Sequence, residues 1–142
     1  DSMYHRILLA LDGSAASEKE AAYVAEIVSG RDDVYFHLAH VLPPSTLAES
    51  ESAREAARET LVRLRQDLCD GGVSPERVDI GTLQGGTESS LSAALLDLAR
   101  DQQCGTVVVG RNSLPWYREV FHQHPADELV RRAEGIAVWV VE

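Results

Sequence analysis

The stretch from His5 to Ser14 reads HRILLALDGS, an apolar run of strand composition that stops on Asp12-Gly13-Ser14. Asp and Gly punctuate a turn because a short carboxylate bonds nearby amides and Gly tolerates positive φ. A helical pattern follows, with Ala21, Val24, Ala25 and Val28 on one face and Gly30 with Asp32-Asp33 ending it. Ser17, with Glu20 three residues on, fits a capping box and is expected to start that helix. Val34 to Leu42 (VYFHLAHVL) returns to strand composition, and Pro43-Pro44 closes it because proline cannot extend a central ladder. Strand, helix and strand in close succession make a βαβ unit, whose crossover sets the two strands parallel.

The same alternation continues outward from this unit. From about Glu49 to Leu68, Ala53, Ala57, Leu61, Leu64 and Leu68 recur at helical spacing, and Gly71-Gly72 terminates them. Glu51, Arg54, Glu55, Arg58, Glu59, Arg63 and Arg65 fall at spacings that permit ion pairs along a solvated outer face. Val78 to Leu83 reads as a strand, and Gly85-Gly86-Thr87 leads into a helix carrying Leu91, Ala94, Leu95, Leu98 and Ala99. Thr106 to Val109 is an apolar β-branched run ending at Gly110, followed by a polar and aromatic loop to His122. Helix signals resume at Pro125, and the chain closes on the strand Ile136 to Val141. The predicted fold class is α/β: a single doubly wound, mostly parallel five-stranded sheet with helices on both faces. Apolar runs at Thr106–Val109 and Ile136–Val141 are what two-sided burial in such a sheet requires.

Length and composition bound the partners. A chain of 142 residues, 44% hydrophobic, suits one domain over residues 1–142. Asp1 and Ser2 precede Met3 and read as a cloning remnant, or the chain is one domain of a longer protein. Against 13 Lys and Arg stand 23 Asp and Glu, a net charge of −10, which repels nucleic-acid phosphate and anionic lipid. No apolar run approaches the ~20 residues that span a bilayer, and no charged-then-apolar signal opens the chain. Cys69 and Cys104 are too few for a disulfide framework and have no metal-ligand spacing. Near helix C-termini, where no dipole lowers a thiol pKa, they read as inert. The expectation is a cytoplasmic protein, with no nucleic-acid partner and no membrane insertion.

Open parallel sheets bind ligands beyond the carboxyl ends of their strands, where strand order reverses. The candidate segments are therefore Asp12-Gly13-Ser14, His40 to Pro44, Gln84-Gly85-Gly86 and Gly110 to His124. At these strand ends the chain resembles the universal stress protein family, of Rossmann-like type. Ile7-Leu8-Leu9-Ala10-Leu11-Asp12-Gly13-Ser14 with Ala16-Ser17 is similar to that family's first strand and turn. His40-Val41-Leu42-Pro43-Pro44 resembles its second strand end, and Gly85 the glycine before its third helix. Val107-Val108-Val109-Gly110 resembles the fourth strand, and Ala137-Val138-Trp139-Val140-Val141 the fifth. The likeness extends from Tyr4 to Glu142 with all pieces in order.

The resemblance implies a nucleotide site by family position at Ala10, Asp12, Val41, Val109, Gly110, Ser113, Gln123 and His124. ATP-binding members carry Gly-x2-Gly-x9-Gly-Ser/Thr after the fourth strand, so that backbone amides approach phosphates closely. Gly110 matches the first glycine, but Ser113 stands at the second and Gln123-His124 at the Gly-Ser/Thr pair. Pro125 has no N–H to offer a phosphate, and Asp127 and Glu128 suit a solvated helix start. Leu114-Pro115-Trp116-Tyr117 stiffens the loop, while Arg111, Arg118, His122 and His124 give it a cationic rim. On the base side, Asp12 resembles the position that supports the nucleotide or its metal, and equally reads as a turn residue before Gly13. Val41 resembles an adenine contact made through backbone, and also fits a core strand position.

Other signals carry less chemistry. His122-x-His124 has no third ligand placed by the sequence, and no metal site is expected. His37 and His40 alternate with apolar residues and are expected at a strand end or exposed face. There is no Gly-x-Ser-x-Gly elbow, Walker loop or Gly-x-Gly-x-x-Gly. The last strand is apolar on both faces, a hazard unless paired, and the resemblance implies a homodimer through Ala137, Val138, Trp139, Val140 and Val141. The expected function is a regulatory stress-response domain, not an enzyme, that does not bind ATP in the usual way. The alternatives are an ATP- or AMP-binding member with a rearranged loop, and a weak adenine-nucleotide hydrolase.

Overall fold

The computed structural model describes residues 5–42, 51–84, 90–110, 129–130 and 133–141. Strands β1 (Arg6–Leu11), β2 (Tyr35–Leu42), β3 (Val78–Gln84), β4 (Thr106–Gly110) and β5 (Ala137–Val141) form one sheet. Helices α1 (Ala15–Ile27), α2 (Glu51–Asp70) and α3 (Ser90–Asp101) pack on it, with a short 3-10 turn at Pro75–Arg77. The strand order is β3-β2-β1-β4-β5, with every pairing parallel, as the alternating sequence pattern predicts.

The sheet is apolar on both faces because helices cover both. Ile7, Leu9 and Leu11 of β1 pack with Ala21 and Val24 of α1 and with Leu61, Leu64 and Leu68 of α2. Leu8 and Ala10 point the other way, against Val107 and Val109 of β4 and Leu91, Leu95 and Ala99 of α3. That two-sided burial is why HRILLAL reads as a continuous run rather than an alternation.

Helix α1 begins one turn before the place expected from the sequence. Gly13, at φ +83°, turns the chain, and Ser14 is the N-cap, its Oγ accepting the Ser17 N–H at 3.2 Å. Ser17 and Glu20 are instead buried inside the helix. Two overlapping patterns competed here, and the glycine decides between them because only Gly enters that conformation cheaply. At its other end, α2 stops where Gly72 takes φ +110° and the Val73 N–H bonds back to the Leu68 carbonyl at 3.1 Å.

The outer charges of α2 also depart from expectation. Arg63 reaches off the helix to Glu18 of α1 at 2.6 Å. Arg65 donates to the carbonyls of Val78 at 3.1 Å and Pro75 at 2.9 Å, tying α2 to the entry of β3. Strand β5 lies at one edge of the sheet, half-buried along its whole length. Among the described residues no helix is long and apolar enough to cross a membrane.

Candidate functional site

The chain moves from β1 outward through β2 to β3, then crosses to the far side of β1 for β4 and β5. Strand order therefore reverses between β1 and β4, and it is past the carboxyl ends of strands at such a point that open parallel sheets take their ligands. Asp12-Gly13 follows β1 there, and Gly110 ends β4. The register pairs Leu9 with Val108, which sets Ala10 beside Val109 one step further. It also pairs Leu11 with His40, which brings Asp12 level with Val41. Ala10, Val41 and Val109 bury their side chains in the core on the α3 side, so they offer a ligand at that point backbone alone. The sheet thus brings together Ala10, Asp12, Val41, Val109 and Gly110. Ser113, Gln123 and His124 lie outside the described residues, as do Arg111, Arg118, His122, Pro125, Asp127 and Glu128.

The Asp12 carboxylate is oriented by the start of α1. Its Oδ1 accepts the Ser14 N–H at 2.9 Å and the Ser17 hydroxyl at 2.6 Å. The Ser17 hydroxyl oxygen in turn accepts the Asp12 N–H at 2.9 Å. A carboxylate at a helix N-terminus is stabilised by the unpaired amides and the dipole. The network locks the turn after β1 in one shape and fixes which way Asp12 points. Ser17 was not singled out for this role by its sequence position. The signal lies in the run Asp-Gly-Ser-x-x-Ser, where both serines serve one carboxylate.

His40 stands near the end of β2, one of the two placements expected for it, but it is only 8% exposed. It lies on the side of β2 covered by α1 and α2, alternating with Phe36 and Leu38 of that core. Its ring abuts the turn: a Cβ on Gly13 would stand 3.0 Å from His40 Nε2. Its Nδ1 is buried and meets no hydrogen-bond partner of good geometry among the described residues, although the Val41 backbone also favours the protonated ring. Burial holds the His40 pKa below the ordinary value, while the Asp12 carboxylate pulls it partly back. His37 faces the opposite side of the sheet, half-buried beside Gly81, and burial lowers its pKa as well. Burial pushes the Cys104 thiol up to about 11. Among the described residues no group of His, Cys, Asp or Glu is arranged to hold a metal ion.

The strand order and pairing define a doubly wound parallel α/β domain, whose switch point falls between β1 and β4. The universal stress protein family profile matches residues 3–142. The chain belongs to that family. Its fold is that of a universal stress protein from Burkholderia pseudomallei, at a TM-score of 0.72 and 19% identity over 99% of this chain and 98% of the other. A universal stress protein from Archaeoglobus fulgidus in complex with dAMP is similar at TM-score 0.69 and 19% identity, covering 99% of this chain and 100% of that one. A universal stress protein in complex with cAMP gives TM-score 0.69 and 18% identity over 99% and 98%. No curated protein sequence matches the chain.

Proposed function

We propose that this chain is a regulatory stress-response domain that acts as a homodimer in the cytoplasm and does not hold ATP in the manner usual for its family. The supporting observation is the contrast between the two sides of the switch point. On the base side, Asp12 is oriented by Ser14 and Ser17. On the phosphate side, the sequence after Gly110 has Ser113, Gln123-His124 and Pro125 where a cradle needs glycines and an N–H. The domain binds without turning over a substrate, and it pairs through the β5 edge.

A second reading is favoured by relatives captured with cAMP and with dAMP. On that reading the switch point takes an adenine nucleoside or its monophosphate, seated on the strand-end backbone of Val41 and oriented by Asp12. Thermal shift in millimolar Mg-ATP, AMP and adenosine separates the two, because a ligand of the native state alone raises apparent stability. No shift with any of the three supports the first reading. A shift with AMP or adenosine, lost in Asp12→Ala, establishes the second. A strong Mg-ATP shift lost in that variant sinks the claim that the phosphate side is dead.

A further inference from the structure

Beneath the Asp12-Gly13-Ser14 turn sits one group that no role described so far uses. His40 is buried, presents Nε2 to Gly13 at near-contact distance, and leaves Nδ1 without a well-formed hydrogen bond among the described residues. A glycine at position 13 therefore has two reasons to be there: its positive φ, and the absence of a Cβ that would meet the ring. The turn rests on the imidazole, and the imidazole is shaped to the turn.

Among the described residues, the charged groups on the elements packed against the ring include the Asp12 carboxylate and the buried Glu20 of α1. Along the sheet His40 is flanked by Leu11 on β1 and Thr82 on β3. From α1 come the buried Ser17 and, a turn further on, Glu20; from α2 the sheet-facing residues are Ala57 and Leu61. Arg54 and Arg58 of α2 are exposed, Arg54 one turn before Ala57 on the same side of the helix. Asp12 is the carboxylate whose field acts on the ring. Its Oδ1 is the acceptor for Ser14 and Ser17.

We infer that His40 is a positioning residue for the Asp12-Gly13-Ser14 turn, and that protonating its ring reshapes this turn. A neutral imidazole fits the slot under Gly13. An imidazolium carries a charge and a hydrogen on both nitrogens, and it competes with the Ser14 amide and the Ser17 hydroxyl for the Asp12 carboxylate. Asp12 then loses the orientation it has at neutral pH. The response of the turn to protons stands apart from nucleotide binding; its effect on a nucleoside rests on the second reading above.

The decisive measurement is an NMR titration of the native protein from about pH 8 to about pH 5, the range in which histidines change charge. The amide signals of Gly13 and Ser14 are expected to move with the midpoint of the His40 ring, and to stand still in His40→Gln. His37→Gln, altered on the opposite face of the sheet, is expected to leave their movement intact. Amides that stay fixed while the ring titrates, or that move with a different midpoint, overturn the inference even if His40→Gln fails to fold. Adenosine, which has no phosphate to titrate in this range, reads the consequence for a ligand. Its affinity is expected to fall at least about threefold from pH 7.5 to pH 5.5 in the wild type and to stay level in His40→Gln. Absence of adenosine binding at pH 7.5 would count against the nucleoside reading alone, with the amide signals still deciding for or against His40.

Discussion

One oxygen of the Asp12 carboxylate accepts two hydrogen bonds, and the hydroxyl that supplies one of them also satisfies the residue's own amide. Ser17 is fully buried, so its removal leaves a donor and an acceptor in a place water does not readily reach. Ser17→Ala is therefore expected to cost about 1–3 kcal/mol, read as a lower urea midpoint with an unchanged slope. The same variant frees Asp12 to swing, so any adenosine-induced thermal shift should shrink with it. The cysteines give a second prediction at this scale. Cys104 is 2% exposed and its thiol is pushed up to about 11, so almost no thiolate forms at neutral pH. Disulfide-exchange reagents are expected to label Cys69 alone in the native protein and both thiols after denaturation. Native labelling of Cys104 at a comparable rate would mean that the sheet opens around it.

At the level of elements, period alone located the faces. The face of α2 read from spacing, Ala57, Leu61, Leu64 and Leu68, is the face it buries. Leu61 is 1% exposed and its neighbour Val62 is 51% exposed, so two adjacent truncations give a sharp contrast. Leu61→Ala is expected to lose about 2–5 kcal/mol through lost burial and the cavity left behind. Val62→Ala is expected to stay within about 0.5 kcal/mol, with both read from urea melts. What spacing could not supply was everything decided by partners remote in sequence. Arg63 and Arg65 look like members of a helix-surface ladder, but their acceptors are Glu18, Pro75 and Val78, set beside them only by the fold. The burial of His40 is hidden from the sequence for a related reason. Period two puts His37 and His40 on opposite faces, but which face is sealed depends on where α1 and α2 lie. Asp12 and Gly110 were legible as site candidates because the strand-end rule needs only the element order. The site half from Ser113 to His124 rests on sequence alone.

For the whole molecule, acid and self-association are the two properties that the parts jointly set. His37 and His40 both have folded-state pKa values lowered by burial. The unfolded chain therefore takes up protons near pH 6.5 before the native state does, and stability falls as pH drops through that value. Full stability is expected above it, with a decline that levels once the native rings also protonate. The Asp33 carboxyl, held at about 2 by the Arg31 guanidinium, stays ionised throughout this window and adds no slope. Urea midpoints from pH 8 to pH 5 check this, and a flat profile would show that neither ring is buried neutral. The proposed association would turn on β5, which pairs only with β4 among the described strands. A five-residue strand is about 17 Å long, too little by itself for the ~800 Å² per partner of a stable dimer. The surface beside it supplies more. On α1, Glu18, Ala22 and Ala25 face α2, which turns Tyr23 and Ile27 to the opposite flank. Tyr23 and Ile27 stand 52% and 50% exposed on that flank, and α1 also packs over β4, the strand next to β5. Trp139 of β5 packs partly against the core that α1 and α2 share. In the proposed dimer these groups meet their copies across the axis. Tyr23→Asp with Ile27→Asp is expected to give a monomer in sedimentation with unchanged far-UV circular dichroism, since neither side chain supports the core. Trp139→Glu should do the same at some cost in stability. A wild-type protein that sediments as a monomer at micromolar concentration would remove the dimer, and with it the reason for so apolar an edge.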